Sequence, residues 1–498
     1  MASYTSLGAY SGTLRVPEFK GLYQYGDGIG ADPRYAVEAK NALTTGGYLR
    51  PMAVHERLPL NTESPIETLA LLHRRWHTAS TMKDVLIAAS DGQLYWSMPN
   101  GDTWTKIPIP EGINGTRYLN DNWSFVSYEI NPEGSTAPVD VLLMSNAQDG
   151  MICIRGDDMT ASVVPTPKKF GVIARHAERI WGTAITDDPD MLVYSAPYDP
   201  FNWEQNDDIP EDGAGDIQQP SWDGDSFMAL ATFGSQLLAF KKTRVWRVLG
   251  TNPGEYVFAE QFGGGTSYPY TIVADGTRVL MLGDEGVLQY NGESVAPYYQ
   301  EYAKGVFERV NRAAISKAFA CMWRNTYYCA LPLDGSQDNN AVLMYDTVER
   351  TWLLREGVEV EAFLPSEDAL YYTSASTPGY VWLWREDCLD DGKAAEPLRW
   401  VSPWQDFGYK NVAKGGFQVY VNVECALACE LRIGIQTEKK LKMKSVVFQP
   451  STDGQFSKQK RIAFGGNGRR FRIVIESEGS VPWRIVGGLQ VEAETDTD

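Results

Sequence analysis

The chain has 498 residues, 43% hydrophobic, 12% aromatic and 22% charged, which is enough apolar material to bury a large core and too much for a disordered chain. Its 64 acidic residues outnumber 45 basic ones, and the net charge of -19 excludes a uniformly basic nucleic-acid binder. Residues 1–20 lack a basic stretch followed by an apolar one, and no apolar run reaches 18 residues, so neither a signal peptide nor a membrane span is expected.

Residues 1–63 are rich in Gly, Pro and Tyr and have no sustained periodicity. A compact domain rarely carries so long an irregular stretch, so an arm is expected, lying on neighbouring subunits or along the rest of the molecule. Residues 64–76 (SPIETLALLHRRW) predict a helix opened by a capping box, with Ser64 as N-cap, Pro65 at N1 and Glu67 at N3. Residues 1–82 are therefore read as an N-terminal arm with a short helix. A second helix is expected over 302–319, where Val306, Val310, Ala314 and Ile315 fall near one face.

Nearly everything else reads as short strands with turn punctuation. Strand groups occupy 84–107, 123–164, 170–203, 226–262, 270–299, 313–355 and 358–385, about seven groups of three or four strands each. Turns such as Asp91-Gly92, Asp275-Gly276, Asn291-Gly292 and Asp334-Gly335 supply the positive φ that tight hairpins need. Small antiparallel sheets recurring at this period predict an all-β fold, a β-propeller of about seven degenerate blades over 83–393. A stack of β-sandwiches is the other architecture considered. The pattern changes after residue 393, and the long alternating strands of 394–498 predict a C-terminal β-sandwich. The six cysteines are sparse and mostly lie in apolar runs, which suits reduced core thiols. Cys425 and Cys429, read as sharing one regular strand, would stand about 13 Å apart, too far for a disulfide.

The charge is unevenly spread. Residues 1–82 carry 8 basic and 7 acidic groups, residues 83–393 carry 22 and 45, and residues 394–498 carry 15 and 12. The acidity thus belongs to the middle, net -23, and residues 187–225 hold 12 acids and no base. The opposite block, 438–472, holds ten Lys or Arg against two acids. Either block can be a solvated face, but segregation on this scale also suits a polar molecule with a docking direction.

Catalytic signatures are scarce. His73 and His77 have the i, i+4 spacing of a zinc site, but Arg74 and Arg75 stand between them and disfavour a dication. No nucleophile elbow, Walker loop, Rossmann glycine set or paired-cysteine zinc pattern occurs, and neither cofactor nor metal is expected. The acids of 187–225 could supply a glycosidase pair or hard calcium ligands, but their spacing matches no known loop. Residues 97–104 (SMPNGDTW) resemble a degenerate Asp-box, the hairpin of sialidase-like propellers, with Pro99 where Asp is usual.

Residues 23–58 contain Asp32-Pro33, Ala36 to Asn41 and Gly46-Gly47-Tyr48-Leu49-Arg50-Pro51. Further on come Ala177-Glu178-Arg179-Ile180-Trp181-Gly182, Leu192-Val193-Tyr194-Ser195 and Asp199-Pro200-Phe201-Asn202-Trp203. Residues 229–250, 265–270 and 286–292 continue the pattern. Together these resemble the β-propeller tail proteins of tailed bacteriophages, the packaged-DNA stabilisation or tail nozzle proteins. The resemblance implies a non-enzymatic structural protein of the virion tail, assembled in the host cytoplasm. It implies a ring, usually of six copies, that retains packaged DNA and lets it pass during ejection. Its partners would be a head–tail adaptor, a tail fibre or tailspike, further copies of itself, and double-stranded DNA passing through the lumen without sequence-specific binding. On that reading Asp207, Asp208, Glu211, Asp212 and Asp216 would line the channel or gate it. Lys439, Lys440, Lys442, Lys444, Arg461, Arg469 and Arg470 would form a basic protein interface. The alternative expectation is a carbohydrate-binding or sialidase-like propeller acting in receptor recognition, with Arg, Tyr and carboxylates converging on its axis; a cellular scaffold propeller is a third.

Overall fold

The computed structural model describes residues 10–26, 28–60, 63–75, 84–99, 103–108, 123–132, 137–220, 224–261, 264–374, 376–389, 393–450 and 459–496. Seven four-stranded antiparallel sheets follow one another along the chain. Sheet 1 comprises Thr68–His73, Asp84–Ser90, Gln93–Ser97 and Trp104–Ile107. Sheet 2 opens with Ser124–Ile130, sheet 3 with Val172–His176, sheet 4 with Phe227–Phe233, sheet 5 with Val273–Ala274, sheet 6 with Phe319–Trp323 and sheet 7 with Ala362–Pro365. The opening strand of each sheet packs against the sheet that follows, and that of sheet 7 packs against that of sheet 1.

This stacking explains the sequence pattern. A sheet covered on both faces needs apolar residues at successive positions rather than at alternate ones. All eight residues of Val139–Asn146 are buried, as are the last six of Asp84–Ser90. Between neighbouring sheets lie separate apolar layers, such as Leu142, Met144, Ile152 and Ile154 of sheet 2 against Leu72, Val85 and Ile87 of sheet 1.

Two further sheets are built from the end of the chain and its beginning. A four-stranded sheet runs in the order Tyr10–Val16, Trp483–Asp496, Ala413–Cys425, Lys460–Gly468. A five-stranded sheet runs Glu38–Lys40, Leu398–Val401, Phe471–Ser477, Cys429–Thr437, Leu441–Phe448. Here burial alternates, and Phe417, Val419, Val421 and Val423 point into a core shared with Ile433, Ile435, Ile473 and Ile475. This pair of sheets is joined to the outermost strand of sheet 6, Thr351–Glu356. The Leu22 amide donates to the Trp352 carbonyl at 2.8 Å and the Asn41 amide to the Leu354 carbonyl at 3.0 Å. Gly21 is required there, because a Cβ would sit 2.2 Å from the Trp352 carbonyl oxygen. Arg355 completes the joint. Fully buried, it donates to the Ala53 carbonyl at 2.6 Å and the Arg385 carbonyl at 3.1 Å, and it pairs with Glu396 at 3.2 Å.

Several expectations are corrected. Residues 68–73 form a strand instead of a helix, paired from Thr68↔Ala89 to His73↔Asp84. The local cap signature is spent on strand entry: the Ser90 hydroxyl donates to the Ser64 and Pro65 carbonyls, and the Glu67 amide donates to Ala89. Burial of LALL on both faces outweighs local helix propensity. Over 302–319 only one helical turn forms, Lys304–Glu308, preceded by the 3₁₀ turn Gln300–Ala303 and followed by Ile315–Lys317. Asn311 interrupts the run: its side chain accepts from the Ala313 amide and donates to the Ser336 carbonyl, and its amide donates to Pro332. Cys425 and Cys429 do not share a strand but end one and begin the next. All six thiols are buried and free.

Three described segments within residues 10–60 pair with strands from elsewhere in the chain. Tyr10–Val16 runs antiparallel to Trp483–Asp496, Glu38–Lys40 to Leu398–Val401, and Glu56–Pro59 to Tyr380–Leu383 as the fourth strand of sheet 7. Strand pairing crosses position 82/83, joining Thr68–His73 to Asp84–Ser90 and Glu56–Pro59 to Tyr380–Leu383.

Candidate functional site

In sheet 3, Met191–Tyr194 pairs with the outermost strand Gly215–Gln218, and residues 195–214 form an excursion between them. Side chains that cap turns fold the excursion on itself. Asp199 accepts from the Phe201 amide, Asn202 from Glu204, and Asn206 from both Asp208 and Ile209. Gly213 is forced by packing, since a Cβ would stand 2.4 Å from the Asn206 amide nitrogen.

Arg179 is the clamp. It is 1% exposed, and its guanidinium donates to the carbonyls of Ser195 at 2.7 Å, Gly213 at 2.6 Å and Glu211, while lying over the Tyr194 ring. It therefore holds the two ends of the excursion together from below. The sequence gives one clue to it, a lone cation opening the otherwise uncharged run RIWGT.

The clamped excursion and the strand that follows it present the predicted acids outward. Asp207, Asp208, Glu211, Asp212 and Asp216 are all exposed, and none makes an ion pair among the described residues. Three neighbouring acids are spent on structure. Asp188 pairs with Lys168. Asp190 meets the fully buried Lys241 at 2.6 Å. Asp225 accepts from the amides of Lys242 and Thr243 and from the Thr243 hydroxyl. Among the acids stand exposed apolar side chains that the charge pattern does not disclose: Tyr198 at 75%, Ile209 at 48% and Phe201 at 39%.

The predicted basic residues gather on the two sheets built from the C-terminal strands. Leu441–Phe448, carrying Lys442 and Lys444, is the edge of the five-stranded sheet, and Lys460–Gly468, carrying Arg461, is the edge of the four-stranded one. Lys439 and Lys440 occupy the turn before the first edge, and Arg469 and Arg470 the turn after the second. The edges lie side by side: Lys444 covers the Phe464 ring, and the Lys460 ammonium donates to the Val447 carbonyl at 2.7 Å. All seven predicted residues are exposed. Lys and Arg on an open edge discourage indiscriminate strand pairing.

Beside them opens a cavity of about 840 Å³ lined by Ile29, Asp406, Lys410, Lys439, Arg469 and Arg470 among others. Glu438, also in its wall, is already satisfied, accepting from the Arg469 and Arg470 amides at 2.6 and 3.2 Å. Burial alone would raise its pKa, but those amides outweigh it and hold the carboxyl below its usual range. Lys410 and Ile29 were not singled out in the sequence, because the cavity joins segments far apart along the chain.

A second cavity, of about 240 Å³, is lined by residues of sheets 1, 2, 3, 4, 6 and 7 and of the 3₁₀ turn before sheet 5, including Thr68, Ser124, Val172, Leu230, Tyr270, Phe319 and Ala362. Tyr270 and Phe319 stack there at 6.0 Å and 6°. Glu67 is its one charged lining residue among those described. None of the five predicted carboxylates lines this cavity.

The remaining candidates are structural in the described residues. His73 bonds Asp84 at 2.8 Å, and His77 lies outside the described residues. Ser97 pairs with Trp104 in a hairpin at the Asp-box position, of which residues 100–102 lie outside the described residues. Among the described residues no group of three or more His, Cys, Asp or Glu could hold a metal ion, and no helix is long and apolar enough to cross a membrane.

No protein-family model and no curated protein matches the chain. Among solved structures, the chain is similar to the WD40 domain of Neurospora crassa Pan2, at 10% identity and a TM-score of 0.25, over 61% of this chain and 76% of that one. It is also similar to PorZ, an essential bacterial surface component of the type-IX secretion system of Porphyromonas gingivalis, at 10% identity and a TM-score of 0.36. That match covers 82% of this chain and 46% of PorZ, so the chain spans less than half of PorZ's length.

Proposed function

We propose that the chain is a non-enzymatic structural protein of a tailed-phage tail, whose copies form a ring that retains packaged DNA and lets it pass during ejection. In this reading the seven sheets are the blades of one closed propeller, tied shut by Glu56–Pro59 pairing onto the last blade. The two sheets of the C-terminal region form a β-sandwich docked on the sixth blade.

The observation that carries the reading is the layout of charge on the folded chain. Exposed, unpaired carboxylates stand on a clamped excursion of sheet 3, and exposed cations line two open sheet edges at the end joined to sheet 6. A molecule with complementary surfaces at two separate places suits head-to-tail assembly, which closes into a ring when the rotation between copies allows. The resemblance of residues 23–58 and of the sheet 3 segments to nozzle proteins supports placing that ring at a phage tail. The net charge of -23 over residues 83–393 supports passage without retention, because DNA carries about one negative charge per 1.7 Å of axis and an electronegative wall repels it. The cations would then serve protein neighbours, whether further copies, an adaptor, or a fibre or tailspike.

Mass photometry and negative-stain microscopy at low salt, with and without duplex DNA, test this. Closed rings with a DNA-wide bore that do not retain DNA are expected. Monomers at every concentration, or a stoichiometric DNA complex, would overturn it.

A further inference from the structure

The basic edges and their cavity find a complementary surface elsewhere on the same chain. The tip of the sheet 3 excursion reads Asp207-Asp208-Ile209-Pro210-Glu211-Asp212, four carboxylates around an exposed apolar side chain. The cavity presents the complement: Lys410, Lys439, Arg469 and Arg470 share its lining with the apolar Ile29 and Ala413. Its two acids already accept backbone hydrogen bonds, Asp406 from the Gly408 amide and Glu438 from the amides of Arg469 and Arg470, so the four cations outnumber them. An apolar centre within a ring of charge is the usual anatomy of a specific contact.

The two surfaces do not meet within one chain, since no residue of 195–218 lines the cavity. The excursion belongs to sheet 3 and the basic module is joined to sheet 6, three steps away in one direction and four in the other around the cycle of seven, the largest separation that cycle permits. Both are also pre-shaped, the tip by the Arg179 clamp and its Asx turns, the cavity by paired strand ends. Little conformational entropy would be lost on docking.

From this we infer that the acidic tip of one copy seats in the basic cavity of the next, with Ile209 against Ile29 and the tip carboxylates facing Lys410, Lys439, Arg469 and Arg470. The contact is heterologous, so it propagates from copy to copy. It rests on the ring reading for the presence of a second copy, and it replaces the channel-lining or gating role expected for the tip carboxylates. The lumen wall is left to the other acids of the seven-sheet unit.

Two full-length variants test it: Asp208→Lys with Glu211→Lys, and Arg469→Glu with Arg470→Glu. All four side chains are exposed, so folding is not at stake, and circular dichroism checks it. Association is followed by sedimentation velocity at low salt. Each variant alone should associate roughly 100-fold more weakly than the unmodified chain, because like charges face each other across the contact. An equimolar mixture should recover association, since a basic tip then meets an acidic cavity and the reverse. Variants that assemble like the unmodified chain would overturn the contact while leaving the ring intact. Loss of assembly without recovery on mixing would also overturn the contact. Recovery on mixing into open chains would support the contact and overturn the ring. A chain that never associates would overturn both.

Discussion

Arg179 gives the most quantitative handle on the excursion. Replacing it by Met removes the donors to three carbonyls, those of Ser195, Glu211 and Gly213. Ser195 and Gly213 are buried, so their carbonyls cannot turn to water, and each unpaired acceptor costs about 1–3 kcal/mol. Glu211 is exposed and its carbonyl rehydrates. No longer burying a guanidinium offsets part of the loss. The net effect should be about 2–4 kcal/mol, confined to residues 195–214, which raises the open population of the excursion roughly 30- to 800-fold. A glutamate-specific protease reads this at Glu204 and Glu211, both in the excursion. Cleavage of Arg179→Met should accelerate by that factor while the global unfolding midpoint moves less. Arg179→Lys, which keeps the charge but not the planar fork, should fall between. Equal cleavage of variant and unmodified chain would refute the clamp.

Arg355→Met should destabilise the whole chain by about 3–5 kcal/mol in denaturant unfolding, because it strips a buried cation from the Ala53 and Arg385 carbonyls and from Glu396 where the first residues, sheets 6 and 7 and the C-terminal sheets meet. Burial, aided by the Arg355 charge, holds the His55 imidazole well below its usual pKa, and burial also lowers that of His176. The unfolded chain therefore takes up protons first as pH falls. Stability should be level above about pH 7 and decline as pH drops below about 6.5, with a slope from His55 approaching about 1.4 kcal/mol per pH unit, and His55→Gln should flatten it. A profile flat to pH 5 would contradict this. Burial pushes the thiols of Cys153, Cys329, Cys388 and Cys429 up to about 12, so a thiol reagent at pH 8 should label none of these native cysteines and all of them after denaturation.

Much of the strand content was legible because two-sided burial leaves an unmistakable trace: VDVLLMSN and VLIAAS can hardly be anything but covered strands. The same trace misled at LALLH, where a continuous apolar run has no period of its own and the Ser64, Pro65 and Glu67 signature tipped the reading towards helix. What closes sheet 7 was hidden, since nothing local to Glu56–Pro59 announces Tyr380–Leu383 as its partner. Charge blocks were legible as blocks. Which acids remain available was not, because that depends on partners such as Lys241 for Asp190, brought in from another sheet. The basic cavity was invisible for the same reason, its wall being assembled from Ile29, Lys410, Lys439 and Arg469.

The most direct test of assembly through complementary charged surfaces is an electron cryo-microscopy map of the full-length protein assembled at low salt. The account predicts a closed ring in which density for residues 207–212 of each copy enters the cavity beside Arg469 and Arg470 of the next, around an electronegative bore wide enough for duplex DNA. A map with the excursion exposed to solvent and the basic edges uncovered, or with copies joined through other faces, would contradict it.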